Sequence, residues 1–319
     1  MGLRYAVREV ERHGTDKQWW RKRFLTHVVS KYYTALADHD PTPVIAADWD
    51  NLLVLDACRY DLFAEVLKGH PLPEELSVRT AMDSGTPGFL ESNFGTGTFH
   101  DTVYVTANPY VDTELDDRRF HAVDAVWRDG WDDELRTVRP ETMAERTIAA
   151  AESYPEKRII AHFLQPHAPF VGETRLGERK EFAIRQVALD EPEPDPRTRV
   201  RTPFERLEAG ELTREKVWRA YRDNLKLALP AIEELLASLP GRTAVTSDHG
   251  NAFGEFASPF PIRVYGHPLG ILIPALTEVP WLVSDNGDRK PIRATTPAED
   301  RSGSADRPTD RLRALGYVE

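Results

Sequence analysis

The chain has 319 residues, 40% of them hydrophobic, which predicts one large α/β domain or two small ones and excludes a disordered protein. A single Cys excludes an internal disulfide framework and a Cys-rich zinc module. The formal net charge is -11, and an acidic surface repels phosphate backbones, so nucleic acid is not predicted as a partner.

Residues 1–40 are predicted to form a helical extension that precedes the main domain. Residues 1–14 are charged and contain no apolar run of the kind that secretion signals carry, so the sequence predicts a cytoplasmic location. No stretch of the chain approaches the ~20 apolar residues that a membrane-spanning helix needs.

Apolar residues recur at helical spacing in this extension, with basic residues among them. They are Trp19, Trp20, Phe24, Val28, Tyr32 and Leu36. The helix either packs on the main domain through its aromatic face, or rests through residues 17–37 on an anionic membrane, peripherally at its inner face. Packing is favoured because the uncharged Thr26, His27 and Ser30 dilute the charge of the polar face.

Residues 41–285 are predicted to form the main domain, which Pro41 and Pro43 separate from the extension because neither fits a helix interior. Apolar runs predict strands at Asn51–Leu55, Thr102–Thr106, Arg158–Leu164, Thr243–Ser247, Ile271–Pro274 and Trp281–Val283. Helical patterns occur at Leu62–Leu67, Glu141–Ser153 and Arg214–Leu239. This alternation predicts an α/β fold with a largely parallel central sheet and helices on both faces.

Two segments break the alternation of strands and helices. Residues 171–212 are polar and include the Pro-rich run Glu191–Pro196, which cannot hold a regular element. They are interpreted as a surface excursion, either a lid beside an active site or a disordered acidic loop. Residues 286–319 are predicted to form a C-terminal loop with a short helix at Asp310–Leu315.

Polar residues that directly follow apolar strands are candidates for a site, because ligands of open α/β sheets bind at the carboxyl ends of the strands. Asp56 ends the first strand, where a carboxylate either meets a cation or caps the next helix. Asp248 and His249 follow another strand, and a hard oxygen beside an imidazole suits Mn²⁺ or Zn²⁺. The alternative is that both only hydrogen-bond the next loop.

Three more histidines lie near predicted strands. His167 is in a Pro-bounded loop after one strand, and His267 is in a Gly/Pro turn before a late strand. Each either serves a site or merely hydrogen-bonds its turn. His162 lies inside a strand pattern and is interpreted as a core histidine whose hydrogen bonds are satisfied. Together with the two carboxylates, these residues indicate one metal ion or two.

A nucleophile is offered by the segment Ser84-Gly85-Thr86-Pro87, which begins a predicted helix. A hydroxyl in the first turn lies at the positive end of the helix dipole, where anions also bind. Simple capping of the helix by Ser84 or Thr86 is the alternative, and the segment alone does not distinguish the two hydroxyls.

Taken together, these segments resemble the alkaline phosphatase superfamily, and within it the sulfatase-like branch. The second metal motif, around Asp248-His249-Gly250, is the most specific part of the resemblance. The similar segments follow the family order and are Leu53–Asp61, Phe163–Phe170, Val245–Glu255, Gly266–His267 and the tail Arg311–Glu319.

The resemblance implies a mechanism. Four residues would hold a divalent cation, with Mn or Zn favoured over Ca or Mg: Asp56, Thr86, Asp248 and His249. Thr86 would attack phosphorus or sulfur and form a covalent intermediate, which water or an acceptor alcohol then releases. His167 and His267 would steady the anion, protonate the leaving group, or help to hold a second metal.

Three departures from the sulfatase pattern favour phosphate esters over sulfate esters. Sulfatases carry a Cys in a maturation pattern that Cys58 does not fit, whereas an unmodified Thr resembles the phosphatase, phosphodiesterase and phosphoethanolamine-transferase members. Ala57 stands where sulfatases often have a second carboxylate, and His249 stands where they have Asn.

The predicted function is therefore a metal-dependent hydrolase or transferase of phosphate esters, with an anionic ester as its partner. The alternatives are a sulfatase of the same fold and a non-catalytic binding protein of the same fold. Arg59, Arg79 and Asn108 are further candidates for substrate contact, although surface ion pairs or helix capping are the favoured interpretations.

Overall fold

A computed structural model describes residues 14–15, 17–36, 39–68, 70, 75–176 and 201–296. The predicted short helix at residues 310–315, the C-terminal tail and residues 177–200 of the surface excursion lie outside these described residues. Within the rest of the excursion, Pro203–Glu208 form a helix that Thr202 and Glu205 cap reciprocally.

The N-terminal helix is built from three consecutive parts. An α-helix, α1 (Lys17–Phe24), continues into a π-helical turn at Leu25–Val29 and a second α-helix, α2 (Ser30–Leu36). Its inner face packs against the main domain in one apolar cluster with Ala252, Val264 and Ile271, among others. The buried helix residues are Leu25, Val29 and Tyr33. None of the helices in the described part of the chain is long and apolar enough to cross a membrane.

The main domain alternates strands and helices along the chain. Its elements are β1 (Asn51–Asp56), α3 (Tyr60–Leu67), β2 (Leu76–Thr80), α4 (Thr86–Phe94), β3 (Phe99–Thr106), α5 (Tyr110–Glu114), β4 (Phe120–Ala125), β5 (Trp131–Asp132), β6 (Thr137–Val138), α6 (Pro140–Ser153), β7 (Arg158–Pro166), α7 (Pro203–Glu208), α8 (Arg214–Ser238), β8 (Gly241–Ser247), β9 (Ala252–Phe256), β10 (Arg263–Gly266), α9 (Pro274–Thr277) and β11 (Glu278–Asn286). Short 3₁₀ turns lie at Val44–Ala46 and Asp117–Arg119.

The central sheet has seven strands in the order β2-β11-β8-β1-β7-β3-β4. The neighbours from β8 to β4 pair in parallel, whereas β11 runs antiparallel to both β2 and β8. The predicted largely parallel α/β sheet is therefore confirmed, with one antiparallel strand inserted near an edge. Every residue of β1 is buried, as expected of a central strand covered on both faces.

Helices cover both faces of the sheet because successive side chains of a strand point in opposite directions. Leu53 and Leu55 of β1 belong to the apolar cluster that contains the inner faces of α6 and α8. Leu52 and Val54 belong to the cluster on the other face, which contains Phe89 and other residues of α4. Residues of β1 therefore belong to both apolar clusters, and the strand ends at the candidate active site.

The predicted strand at Ile271–Pro274 is wrong. Ile271 and Ile273 are buried in the cluster beneath the N-terminal helix and do not pair with a strand. Pro274 instead begins the short helix α9, since a Pro has no N–H for a strand ladder but fits the first turn of a helix. The sequence analysis also missed β2, β4, β9 and β10, which are short or lie at an edge.

Three adjacent strands, β8, β1 and β7, end on the same side of the sheet and carry the candidate residues there. The Asp248 N–H donates to the Leu55 carbonyl at 3.2 Å, and the His167 N–H donates to the Asp56 carbonyl at 3.1 Å. The ladder of hydrogen bonds therefore continues past the strand ends and holds these residues side by side.

Candidate active site

Three buried side chains meet where β1 and β8 end. Ligand atoms of Asp56, Asp248 and His249 all lie within 4.8 Å of one another. The Nε2 atom of His249 is 3.7 Å from Asp56 Oδ1 and 3.5 Å from Asp248 Oδ2. Two carboxylates and an imidazole form a donor set that suits a divalent cation.

Two atoms of this cluster have no hydrogen-bond partner among the described residues. They are Asp56 Oδ1 and His249 Nε2. His249 Nδ1 lies 2.8 Å from the Gly250 carbonyl oxygen, which can only accept, so Nδ1 carries the proton and Nε2 presents a lone pair. Two buried polar atoms that lack a partner are costly, and a cation between them would satisfy both. The residues therefore fit the metal that the resemblance implies.

The two carboxylates differ in their affinity for protons. Burial and the charge of Asp248 raise the pKa of Asp56 well above 3.8, although a hydrogen bond from Asn108 opposes this. Burial also tends to raise the pKa of Asp248, but the adjacent His249 and His162 hold it below its ordinary value. Without a cation, Asp248 therefore holds the negative charge and Asp56 the proton.

Metal binding is expected to release a proton from Asp56, because an ion binds only the ionised carboxylate. The affinity for Zn²⁺ or Mn²⁺ should therefore rise with pH up to the raised pKa of Asp56, by at most about tenfold per pH unit. Calorimetric titrations in buffers of different ionisation enthalpy measure this release.

The matched control for this experiment is Asp112→Asn, which changes a carboxylate outside the cluster that is bonded to Trp127 and Arg128. Its proton release should equal that of the wild type, whereas Asp56→Asn should show none and bind metal weakly. If metal binding to the wild type released no proton at any pH below the raised pKa of Asp56, the assignment of the proton to Asp56 would be contradicted.

The backbone turn after β1 supports the second carboxylate. Ala57 has a φ of 60°, a left-handed conformation that is uncommon for a residue with a Cβ. Its N–H donates to Asp248 Oδ1 at 2.9 Å, and its carbonyl accepts from the hydroxyl of Tyr221. The small residue that departs from the sulfatase pattern therefore binds Asp248 through its backbone.

The two hydroxyls of the Ser-Gly-Thr-Pro segment have different partners. Thr86, the first residue of α4, donates from Oγ1 to Asp248 Oδ2 at 2.6 Å. The Ser84 hydroxyl donates to the Pro268 carbonyl at 3.0 Å and accepts from the Ile271 N–H at 3.3 Å. Of the two, only the Thr86 hydroxyl contacts the carboxylate cluster.

His167 and His267 form the partly exposed side of the site. Their Nε2 atoms are 3.1 Å apart, and the ring centroid of His267 is 4.6 Å from that of His249. Loss of water around the rings, followed by the electrostatic effect of the nearby His249 ring, lowers the pKa of His167 to about 4 and that of His267 well below 6.5. Both imidazoles are therefore neutral near pH 7 in the absence of an anion.

His162 lies directly behind Asp248. Its Nδ1 atom is 3.0 Å from the Tyr104 hydroxyl, whereas its Nε2 atom has no hydrogen-bond partner in the described part of the chain and lies 3.7 Å from Asp248 Oδ2. The expectation of a fully satisfied core histidine is therefore wrong at Nε2. The position of a titratable residue inside an apolar strand next to β1 was the signal that the sequence analysis discounted.

Two buried amides hold the loops that carry the site. Asn108 donates to Asp56 Oδ2 at 2.9 Å and accepts from the Tyr110 N–H at 3.0 Å, so it links a candidate ligand to the turn before α5, whose N-cap residue is Pro109. Asn224 of α8 donates to the His167 carbonyl at 2.9 Å. Sequence reasoning missed Asn224, although a polar residue on the apolar face of a long helix is a recognisable signal.

The two arginines considered for substrate contact are engaged elsewhere. Arg59 pairs with Asp61 at 2.6 Å and Glu255 at 2.7 Å, which confirms the ion-pair interpretation. Arg79 lies over the ring of Trp281, 3.5 Å from its centroid, in the edge strand β2.

The structure has an α/β fold with a largely parallel central sheet, and the candidate residues lie where β1, β7 and β8 end. No family model matches the chain, and no curated protein sequence matches it. Solved structures do match, at low identity, and they include phosphoethanolamine transferases and sulfatases.

Three of these structures illustrate the match. The integral membrane lipooligosaccharide phosphoethanolamine transferase A from Neisseria meningitidis is 11% identical at a TM-score of 0.46, over 88% of this chain and 57% of that one. The C-terminal periplasmic domain of EptC from Escherichia coli, in complex with zinc, is 12% identical at a TM-score of 0.39, over 78% and 77%. A 2-O GAG sulfatase is 12% identical at a TM-score of 0.41, over 78% and 65%.

The chain thus spans little more than half the length of the Neisseria protein. At these identities the similarity concerns the fold, and the chemistry has to be argued from the residues of this chain.

The prediction of a cytoplasmic location, at the inner membrane face or elsewhere, is wrong by these comparisons. The EptC structure is a periplasmic domain, and the Neisseria protein is integral to a membrane. The prediction rested on the charged residues 1–14 and on the lack of a long apolar stretch. Neither of these two features identifies a compartment, and a chain with a single Cys is compatible with more than one redox compartment.

Proposed function

We propose that this protein is a metal-dependent phosphoester hydrolase or phosphoryl-group transferase in which Thr86 is the nucleophile. The observation that carries the proposal is the 2.6 Å hydrogen bond from Thr86 Oγ1 to Asp248 Oδ2. The same carboxylate adjoins two unpartnered ligand atoms, Asp56 Oδ1 and His249 Nε2. A hydroxyl beside an incomplete metal site is the arrangement that nucleophilic catalysis on an ester anion requires.

Asp56, Asp248 and His249 would hold the cation, with Thr86 Oγ1 beside them. The imidazole favours Zn²⁺ or Mn²⁺ over Ca²⁺ or Mg²⁺, which prefer all-oxygen sites. When bound, such an ion would lower the pKa of the Thr86 hydroxyl and offset the charge of a substrate anion. The N-terminus of α4, where Thr86 stands, adds a positive dipole on the same side.

The reaction then follows from the residues present. Thr86 Oγ1 passes its proton to Asp248 Oδ2, the acceptor of its hydrogen bond, and forms a bond to phosphorus as the bond from phosphorus to the leaving oxygen breaks. In the second step, the oxygen of water or of an acceptor alcohol forms a bond to phosphorus as the bond from phosphorus to Thr86 Oγ1 breaks, and the proton of the attacking hydroxyl restores the Thr86 hydroxyl by way of Asp248.

His167 and His267 would serve the leaving group. The Nδ1–H of His167 donates to the Ala168 carbonyl at 2.5 Å, so its Nε2 is an acceptor for the Nε2–H of His267. The pKa of both rings is lowered, and a dianionic ester beside them would raise it and favour their protonation. The pair could then pass a proton to the leaving oxygen.

A phosphate ester is favoured over a sulfate ester because the nucleophile is an unmodified Thr. Cys58 is fully buried, its Sγ lies 3.8 Å from the Arg59 carbonyl oxygen, and burial raises the pKa of its thiol. It therefore has neither the pattern nor the exposure of a residue that matures into a sulfatase nucleophile.

A panel of aryl phosphate monoester, aryl phosphodiester and aryl sulfate, assayed with Zn²⁺ and with Mn²⁺, tests the proposal. We expect cleavage of at least one phosphate ester at a rate at least tenfold above that of the sulfate. Addition of an alcohol acceptor should distinguish transfer from hydrolysis, since a transferase speeds up with the acceptor. Strong preference for the sulfate would establish a sulfatase instead, and inertness towards all three esters would count against an enzyme.

A further inference from the structure

The N-terminal helix has a charge opposite to that of the whole chain. Residues 17–36 contain five basic residues and no acidic one, whereas the chain as a whole has a net charge of -11. Arg21 pairs with Glu208 at 2.5 Å. Within the described part of the chain, Lys22 and Lys31 have no ion-pair partner, and both are exposed. This helix is therefore a basic surface on an acidic protein.

The outer face of the helix is apolar along one line. Trp20, Phe24 and Val28 recur every four residues, and they remain 47%, 40% and 44% exposed. The inner face, with Leu25 and Val29, is already buried against the main domain. The helix thus has a second apolar stripe besides its buried face; Phe24 of this stripe packs edge-to-face against Phe260, and all three side chains keep a large exposed fraction. Exposed large aromatics between lysines are typical of helices that lie in the interface of a membrane.

The helix contacts the loop that carries His267, on the partly exposed side of the active site. Gly270 approaches Ser30 so closely that a Cβ there would lie 2.3 Å from the Ser30 hydroxyl oxygen. The neighbouring Leu269 is 45% exposed and reaches Gly85, one residue before the nucleophile. The loop that carries His267 is therefore held between the helix and the turn of Thr86, and its Leu269 is an exposed apolar side chain beside that turn.

We propose that residues 17–36 dock this protein onto a lipid bilayer with anionic headgroups. The positive charge of the helix favours a bilayer as the partner, because lysines beside an apolar stripe are attracted to an anionic surface. A second copy of the chain would instead bring two basic helices together. Docking would place the active site beside the lipid headgroups. The substrate or the acceptor would then be carried by a lipid, and this last step rests on the proposed function.

Flotation of the full-length protein with vesicles tests docking independently of catalysis. One vesicle is phosphatidylcholine with roughly a quarter phosphatidylglycerol, and the other is phosphatidylcholine alone. We expect the protein to float with the anionic vesicles, and the bound fraction to fall as salt screens the lysines. Trp20→Ser/Phe24→Ser/Val28→Ser and Lys22→Glu/Lys31→Glu should each lower the partition coefficient at least tenfold.

Matched controls separate docking from unfolding and from catalysis. Ile45→Ser/Val78→Ser removes two exposed apolar side chains elsewhere and should bind vesicles like the wild type. All variants keep the buried inner face, so their Tm and their activity on a soluble aryl phosphate should match the wild type.

Two outcomes would overturn the proposal. One is a wild-type protein that does not float with anionic vesicles, and the other is a pair of helix variants that float as well as it does. If sedimentation analysis showed a dimeric wild type and a monomeric triple variant, and neither protein bound vesicles, the surface would be assigned to a second copy of the chain. A protein that binds vesicles but cleaves no ester would leave docking intact and remove the proposed function.

Discussion

Replacing Thr86 with Ala is expected to lower kcat/KM for an aryl phosphate by about 10³- to 10⁶-fold, the range typical for loss of a catalytic nucleophile. Ala has no oxygen to attack phosphorus, and the nearby Ser84 hydroxyl is already bonded to the Pro268 carbonyl. Thr86→Ser restores a hydroxyl and should recover part of the activity. Steady-state rates of the metal-loaded proteins measure the effect.

Ser84→Ala is the matched control, since it removes a hydroxyl two residues away that has no contact with the cluster. It should keep kcat/KM within about tenfold of the wild type, because one hydrogen bond contributes about 1 kcal/mol to the stability of its loop. Mass spectrometry of wild-type protein quenched during turnover should detect one phosphoryl group on the peptide that contains Thr86. Normal turnover by Thr86→Ala would remove this residue from the mechanism.

Replacing Asp248 with Asn should abolish tight metal binding and, with it, activity. The change keeps the volume and one acceptor oxygen but replaces the other acceptor with a donor and removes the charge that lies 3.5 Å from His249 Nε2. For the wild type, a metal concentration of 100 times Kd should raise the free energy of unfolding by about 2.7 kcal/mol. Asp248→Asn should show no such increase, as measured by urea unfolding with and without the metal.

The Asp112→Asn protein should keep the metal-dependent gain in stability. If Asp248→Asn bound metal as tightly as the wild type, the cation site would have to lie elsewhere.

Much of the sheet could be predicted from the sequence. The run at Asn51–Leu55, which is apolar after Asn51, predicted a buried strand, and β1 occupies that position with both faces covered. The long pattern at Arg214–Leu239 also corresponds closely to α8, because a helix of this length repeats its apolar stripe many times. Short edge strands such as β2 and β4 could not be predicted, since their half-exposed residues show no clear period.

The segment at Ile271–Pro274 shows the limit of apolar patterns. Its residues are as buried as those of a strand, but they are covered by the N-terminal helix and make no ladder. The apolar composition of this segment predicts that it is buried, whereas the N-terminal helix that buries it lies more than 200 positions away in the chain. Only the tertiary structure brings the two together.

By itself, the amino-acid sequence determined which residues could do chemistry. Asp56, Asp248, His249 and Thr86 stand where strands end or a helix begins, and local polarity against an apolar background is sufficient to find such positions. The tertiary structure decided which of these groups share a hydrogen bond. The bond of the Thr86 hydroxyl to Asp248, the bond of Ser84 to a loop and the position of His162 behind the carboxylate depend on distances between segments far apart in the chain, which no local pattern encodes.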